Sequence, residues 1–233
     1  MSLYCTRATY GYFIHIKSFI HKPTLYMSPH IGNDVEEQYL LQRHDRPTRS
    51  KEQSDLMIEL LDLHPDMIVA DVGAGTGRIA FKLAKQVAPN GTVYASEIHS
   101  SLLRQIVTNA KEQHIKNIIP ILATIKRPNL PYNLFDLIIM VKVYHEVSHP
   151  VPTLKGLRKA LKRNGRLILI ENRPVDSTKS VYNDHTMSVS QAKLELEANG
   201  FKFIKVIELY PWQNMIIFEK RLKHRRPIKS SRL

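Results

Sequence analysis

The sequence contains almost no cysteine and no long apolar run. Cys5 is the only cysteine in 233 residues, which excludes an internal disulfide framework and a cysteine-based zinc site, and fits a reducing compartment. No stretch reaches the roughly 18 apolar residues that a membrane span needs, so none is expected. A hydrophobic content of 43% is enough for one sizeable core at this length. These features predict a cytoplasmic protein with one folded domain.

Acidic residues are missing from both ends of the chain. The net charge is +13, of which residues 1–33 carry +3 and residues 220–233 carry +7, so only +3 remains on residues 34–219. We therefore divide the chain into an N-terminal extension (1–33), a folded domain (34–219) and a basic tail (220–233). The tail suits binding to nucleic acid or to an anionic membrane surface, or it is a solvated end that aids solubility. The acid-free extension leaves a mitochondrial presequence as the alternative localisation.

Strand-like and helix-like segments alternate from about residue 50 onward. Short apolar runs rich in β-branched residues predict strands buried on both faces: Ile68–Asp71, Thr92–Ser96, Asn117–Leu122, Phe135–Val141 and Arg166–Glu171. Amphipathic periodicity predicts helices at Lys51–Leu63, Gly77–Ala88, Ser100–His114, Thr153–Leu161 and Val189–Asn199. In the first helix, the spacing of Leu56, Leu60 and Leu63 predicts one apolar stripe. The dipeptide Asn164-Gly165 predicts a turn that enters the fifth strand.

The C-terminal part breaks this alternation. The runs Phe201–Leu209 and Trp212–Glu219 are separated only by Tyr210-Pro211, which leaves no room for a helix. Alternating strands and helices predict a doubly wound α/β fold around a parallel sheet, and the last two runs add an antiparallel hairpin at one edge. We therefore expect seven strands, mostly parallel.

A glycine-rich loop follows the first predicted strand and opens a predicted helix. Its pattern is D-x-G-x-G-x-G, at Asp71, Gly73, Gly75 and Gly77. Glycines at such a turn let the backbone approach a ligand closely, and amide groups at the helix start suit a carboxylate. The dinucleotide-binding fingerprint G-x-G-x-x-G is not met, because Arg78 stands where its third glycine belongs.

The loop resembles motif I of the class I S-adenosylmethionine (SAM)-dependent methyltransferases. The resemblance extends over residues 41–221 and includes the segments Leu130-Pro131, Phe135–Met140 and Leu157–Leu167. Two further segments, Val143–Pro150 and Gln191–Gly200, are similar to a poorly characterised bacterial group of small-molecule-type methyltransferases. The resemblance implies a Rossmann-like fold, SAM as cofactor and a small-molecule acceptor.

The expected cofactor pocket joins the glycine loop to the end of the second strand. Glu97 ends that strand, where a carboxylate can accept both hydroxyls of a ribose. Residues 122–126 hold no acid for the adenine amino group, so adenine is expected to rely on the backbone there and on apolar packing. The predicted cofactor-binding residues are Asp71, Gly73, Ala74, Gly75, Gly77, Glu97, Ile98, Ala123, Thr124 and Val141.

The residues after the fourth strand should face the transferred methyl group. His145 is the candidate general base, because an unperturbed imidazole titrates near pH 6.5, and the alternative is that it only braces the loop. Tyr144 and Glu146 complete the predicted catalytic group. The predicted substrate-binding residues are Lys142, Arg173, His185 and Met187.

A metal-site alternative lies in the same segment. Residues 145–149 read H-E-x-x-H, a zinc-protease signature that requires both histidines on one helix face. Here the motif follows a strand directly, and Pro150 disfavours helical geometry at His149. We therefore expect no metal. Two other functions stay open, namely an RNA or protein methyltransferase docked by the basic tails, and a non-catalytic SAM-binding module. The acceptor and the oligomeric state are left open.

Overall fold

The structure is a computed structural model that describes residues 51–173 and 186–222. Its helices are α1 (Lys51–Glu59), α2 (Arg78–Gln86), α3 (Ser100–Glu112), α4 (Pro150–Ala160), α5 (Val189–Ala198) and a 3-10 helix (Tyr144–Glu146). Its strands are β1 (Ile68–Val72), β2 (Thr92–Glu97), β3 (Ile118–Leu122), β4 (Phe135–Val141), β5 (Leu161–Asn172), β6 (Phe201–Tyr210) and β7 (Gln213–Lys220). The extension 1–33, residue His185 and the tail beyond residue 222 lie outside the described residues.

The strands form one seven-stranded sheet in the order β3-β2-β1-β4-β5-β7-β6. Strands β1 to β5 are parallel to one another, and β7 is antiparallel to both β5 and β6. This arrangement confirms the predicted α/β class and the C-terminal hairpin. The strand order reverses between β1 and β4, which creates a crevice beyond the carboxyl ends of the strands.

Helices cover both faces of the sheet, so the fold is doubly wound. Along β4, Leu137 and Ile139 pack in a core layer with α1, α2 and α3, whereas Ile138 and Met140 pack in a second layer with α4 and α5. Neighbouring residues of a strand point to opposite faces, and all four side chains are buried. Burial of one such side chain stabilises the fold by about 1.5–3 kcal/mol. None of the helices in residues 51–173 and 186–222 is long and apolar enough to cross a membrane.

The fifth strand begins earlier than its sequence predicts. Leu161 pairs with Phe135, and the register then shifts before Leu137 pairs with Arg166. Asn164-Gly165 therefore lies inside β5, and the predicted turn is wrong. A β-carbon on Gly165 would come within 2.7 Å of the Phe135 carbonyl oxygen, so the close approach of two strands explains the glycine.

The first helix buries a different face from the predicted one. It ends at Glu59 rather than Leu63, and Leu56 and Leu60 are 38% and 36% exposed. Met57 and Leu61 are buried instead. The predicted stripe is wrong because adjacent positions offer an equally good helical spacing, and only contact with α2 and the sheet selects between them.

The exposure of Leu60 and the burial of Leu61, both just beyond the end of α1, predict unequal effects of two adjacent substitutions. We expect Leu61→Ala to lower the free energy of unfolding by about 2–5 kcal/mol, because it leaves a cavity in the core. Leu60→Ala should lower it by less than about 1 kcal/mol. Urea unfolding of the two variants measures both values. A larger loss in Leu60→Ala would contradict the assigned face.

Candidate active site

A cavity of about 560 Å³ opens at the carboxyl ends of the central strands. Its size is typical of a site for a small molecule or cofactor. The cavity wall brings together most of the residues predicted for the site: Asp71, Gly73, Ala74, Gly75, Glu97, Ile98, Ala123, Thr124, Val141, Lys142, His145 and Glu146.

The glycine loop turns through left-handed backbone conformations. Gly73 has φ +76°, and a β-carbon there would lie 2.5 Å from the side chain of Val143. Gly77 has φ +86° and precedes α2, where a β-carbon would meet Ile106 and Phe81 at 2.9 Å. Gly77 does not line the cavity, so its role is to let the helix pack closely behind the loop.

Glu97 lies directly beside this loop. Its Oε2 accepts a hydrogen bond of 2.9 Å from the Gly75 amide, and its Oε1 accepts one of 2.8 Å from the Ile98 amide and lies 2.9 Å from His99 Nδ1. Burial works to raise the pKa of Glu97, but the hydrogen bonds from His99 and Gly75 outweigh it and hold the pKa below its usual value. The cavity therefore contains a fixed, ionised carboxylate.

Asp71 lies on the same cavity wall, but its pKa is raised, whereas that of Glu97 is lowered. Its side chain is buried, and its Oδ2 has no hydrogen-bond partner among the described residues. Burial raises the pKa of Asp71 to about 7, with a further rise from Glu97, against the opposing effects of the Ala80 amide and Arg78. A buried oxygen without a donor is costly. The position therefore favours a ligand that brings a cationic donor to Asp71.

The 3-10 helix places His145 on the cavity wall. His145 Nδ1 lies 2.6 Å from Oε2 of Glu171, whose other oxygen accepts a 2.8 Å hydrogen bond from the Tyr144 amide. Burial works to lower the pKa of His145, but the hydrogen bond and charge of Glu171, helped by Glu146, outweigh it and raise the pKa. His145 is consequently a stronger base than a free imidazole.

Glu171 was missed as a site residue in the sequence. It is the next-to-last residue of β5 and is fully buried, and it reaches the cavity through His145 rather than by lining it. Its position in the sequence could have identified it, because the carboxyl ends of neighbouring parallel strands meet at one edge of a sheet. An acid at the end of β5 therefore lies beside the segment that follows β4.

Two basic side chains share the cavity wall. Lys142 follows β4 and has a left-handed backbone, with φ +57°. Such a conformation is unfavourable for lysine and is found preferentially at functional sites. Partial burial and the positive charge of Arg78 lower the pKa of Lys142, and Glu171 opposes them. Arg78 also lines the cavity, although in the sequence it stood out only as a departure from the dinucleotide-binding motif.

Ala123 and Thr124 follow β3 and already use their backbone amides. The Ala123 amide donates to the Glu97 carbonyl at 2.8 Å, and the Thr124 amide donates to the Arg127 carbonyl at 2.8 Å. Their remaining contribution to the cavity wall is carbonyl oxygens and side-chain surface. Ile98 and Ile125, which are 47% and 63% exposed, add apolar surface to the same wall.

Other predicted residues lie away from the cavity wall. The ring of Tyr144 is buried in the second core layer, and its hydroxyl donates to Glu195 at 2.7 Å. Arg173 forms an ion pair of 2.6 Å with Glu208 on β6. Met187 packs against the second core layer. The remaining predicted substrate residue, at position 185, belongs to the part of the chain that the structure does not describe.

The H-E-x-x-H segment does not form a helical metal motif. His145 lies in the 3-10 helix, and His149 immediately precedes α4, which begins at Pro150. The two rings therefore do not share one face of a continuous helix, as the zinc-protease arrangement requires. His149 Nδ1 instead lies 2.9 Å from the Ser148 hydroxyl.

Sequence comparisons point to one family. A family model described as "Methyltransferase domain" matches residues 63–214. The ubiquinone/menaquinone biosynthesis C-methyltransferase UbiE of Cupriavidus pinatubonensis is 23% identical over 163 residues, which cover 67% of this chain and 66% of that protein. UbiE of Pseudomonas fluorescens is 25% identical over 166 residues, 68% of this chain and 65% of that protein. The chain thus matches just under two thirds of the length of these relatives.

Solved structures share the fold. A SAM-dependent methyltransferase from Aquifex aeolicus superposes with a TM-score of 0.71 at 23% identity, covering 79% of this chain and 98% of that chain. The [4+2]-cyclase SpnF superposes with a TM-score of 0.63 at 15% identity, covering 74% and 81%. Because SpnF is a cyclase, the shared architecture alone does not fix the reaction.

The raised pKa of Asp71 predicts a pH-dependent effect on stability. The folded state holds this proton more tightly than the unfolded state, so the contribution of Asp71 is fully favourable below about pH 4 and is lost as the pH rises through about 7. At pH 8, Asp71→Asn should therefore unfold with a free energy higher than that of the wild type by up to about 4 kcal/mol. The difference should vanish near pH 4.

Chemical denaturation across this pH range measures the effect. Asp62→Asn is the matched control, because Asp62 is exposed and its left-handed backbone suits asparagine. As a surface substitution, the control should change the free energy of unfolding by no more than about 0.5 kcal/mol. Equal stability of Asp71→Asn and the wild type at pH 8 would contradict the environment assigned to Asp71.

Proposed function

We propose that this chain, which belongs to the methyltransferase-domain family, binds SAM and transfers its methyl group to a small-molecule acceptor. The observation that carries the proposal is the cavity in which the glycine loop, the ionised Glu97 and the unpaired Asp71 oxygen converge. The enzyme's folded domain is residues 34–219 in this proposal, and its location is the cytoplasm.

The residues of the cavity fit SAM. The buried Asp71 carboxylate suits the ammonium of the amino-acid part, and this pairing would give Oδ2 the donor that it lacks. Glu97 lies at the end of β2, where the sugar hydroxyls would meet it. Ile98 and Ile125 offer apolar surface for the adenine. The amides at the start of α2 and the nearby Arg78 suit the carboxylate end.

SAM supplies an electrophilic methyl group on a good leaving group. The contribution of the protein is therefore alignment, exclusion of water and removal of a proton from the acceptor. His145 receives that proton, and Lys142 stabilises the negative charge that develops on the acceptor. This assignment makes the preferred acceptor a group that loses a proton on methylation, such as a hydroxyl or an acidic carbon.

The relatives support a small acceptor. UbiE is by name a C-methyltransferase of ubiquinone and menaquinone biosynthesis, and a cavity of about 560 Å³ has room for the cofactor and a compact partner. The basic tail keeps one alternative open, because seven positive charges without an acid also suit docking on RNA or another polyanion.

Cofactor binding should depend on both acids of the cavity. We expect S-adenosylhomocysteine to bind the wild type in isothermal titration, with an affinity that rises between pH 6 and pH 8 as Asp71 loses its proton. Asp71→Ala and Glu97→Ala should each weaken binding at least about tenfold, roughly 1.4 kcal/mol. His145→Ala should mainly lower turnover.

The control is Glu112→Ala, because Glu112 is exposed at the far end of α3. This variant should bind S-adenosylhomocysteine with the affinity of the wild type. Unchanged affinity in both cavity variants would refute the pocket.

Transfer of tritium from labelled SAM identifies the acceptor class. After incubation with cell extract, label should appear in the small-molecule fraction and not in the RNA or protein fraction. Label in RNA that disappears when residues 223–233 are deleted would favour the docked alternative. Binding of SAM with no label in any fraction would indicate a non-catalytic module.

A further inference from the structure

We propose that Glu171 is a positioning residue that holds His145 as its Nδ1–H tautomer, so that Nε2 is the nitrogen that accepts the acceptor's proton. The contacts of Glu171 carry the assignment of the tautomer. The expected effect on turnover also rests on the proposed methyl transfer. Glu171 itself touches neither the cavity nor the reacting atoms.

Glu171 is placed by the pairing of the two central strands. Val141 at the end of β4 pairs with Ile170 of β5, so the next residue of β5 lies under the segment that leaves β4. The side chain of Glu171 is completely buried. A carboxylate in such a place is strongly unfavourable unless donors surround it. Its two oxygens meet the Tyr144 amide and His145 Nδ1.

These two hydrogen bonds fix both the backbone and the ring of the 3-10 helix. The amide contact holds the turn at Tyr144, whose hydroxyl is held on its other side by Glu195. The ring contact at 2.6 Å holds His145, whose side chain is only 5% exposed. An ionised carboxylate accepts but does not donate. His145 Nδ1 must therefore carry the hydrogen in this pair, and the neutral ring has its basic lone pair on Nε2.

The charges around His145 set the strength of this base. Glu171 lies behind the ring, Glu146 is beside it with Oε1 3.7 Å from Nε2, and Lys142 approaches from the end of β4. The two acids raise the pKa of His145 against burial and Lys142. Turnover should therefore rise with pH through this raised pKa, because only the neutral ring can accept a proton.

The substitution Glu171→Gln tests the tautomer, because glutamine has nearly the same size and shape as glutamate. In Glu171→Gln the amide oxygen can still accept from the Tyr144 amide, but the second contact becomes an NH₂ group. That group donates, so His145 Nδ1 must accept and the hydrogen moves to Nε2. The base is then blocked in its neutral form, and one of the two acids that raise its pKa is gone.

The matched control is Glu195→Gln. Glu195 contacts the neighbouring Tyr144 hydroxyl from α5 and does not line the cavity. The substitution makes the same chemical change next to the same 3-10 helix, without touching His145. A loss caused by general loosening of this helix would appear in both variants, whereas a loss caused by the tautomer would appear only in Glu171→Gln.

The deciding experiment is nitrogen-15 NMR of the full chain labelled at histidine, at pH 9. His145→Gln identifies the His145 signals among those of the 11 histidines. We expect the Nδ1–H tautomer in the wild type and in Glu195→Gln, and the Nε2–H tautomer in Glu171→Gln. An Nε2–H tautomer in the wild type overturns the proposal, and this outcome does not depend on whether Glu171→Gln folds.

Turnover on the extract fraction that accepts tritium gives the functional readout. Glu171→Gln should lower it by about 10²–10⁴-fold and shift the pH midpoint downward, with S-adenosylhomocysteine affinity within about twofold of the wild type. Glu195→Gln should stay within about twofold in turnover. Equal turnover of Glu171→Gln and the wild type overturns the positioning role. Failure of S-adenosylhomocysteine to bind the wild type would instead refute the proposed function, whatever tautomer the NMR spectra show.

Discussion

The hydrogen bond from the Gly75 amide to Glu97 joins the two strand ends on which the cavity is built. Gly75 belongs to the loop after β1, and Glu97 is the last residue of β2. The hydrogen bonds from His99 and this bond from Gly75 lower the pKa of Glu97 and keep its carboxylate ionised, at a fixed place beside the loop. Without the bond from Gly75, only the backbone contacts of Gly73 and Ala74 with Ser96 would join the loop to the second strand, and the acid proposed to bind the sugar would lose its fixed position.

Three acids at or behind the cavity wall have different environments. Glu97 is surrounded by donors and stays ionised, whereas Asp71 is buried with an unpaired oxygen and holds its proton to about pH 7. Glu171 is buried more deeply and is satisfied by the 3-10 helix that carries His145. Environment rather than residue type sets these roles. In the proposed reaction, one acid binds the sugar, one binds the amino group and one orients the base.

The sequence predicted the parts of this site that are local in the chain. The glycine loop, the acid at the end of β2 and the alternation of strands and helices follow from spacing and from the rule that ligands bind at the carboxyl ends of parallel strands. Glu171 was missed because its partnership with His145 depends on the pairing of β4 with β5 across a long separation in sequence. The buried stripe of α1 was wrongly predicted because two neighbouring faces have the same periodicity.

Tyr144 and Arg173 show a second limit of predicting site residues from the sequence. A 3-10 helix turns about 120° per residue, so Tyr144 points into the core while its neighbour His145 faces the cavity. Arg173 follows β5 at the edge where the C-terminal hairpin packs, and there Glu208 of β6 attracts it. Proximity in sequence to a site residue does not decide which way a side chain points.

A crystal structure of the protein with S-adenosylhomocysteine tests the central claim most directly. We expect the ammonium to lie within hydrogen-bonding distance of Asp71 Oδ2, the ribose hydroxyls to contact Glu97, and His145 Nδ1 to remain in contact with Glu171. A ligand bound outside the cavity, or one whose ribose lies beyond contact with Glu97, would contradict it.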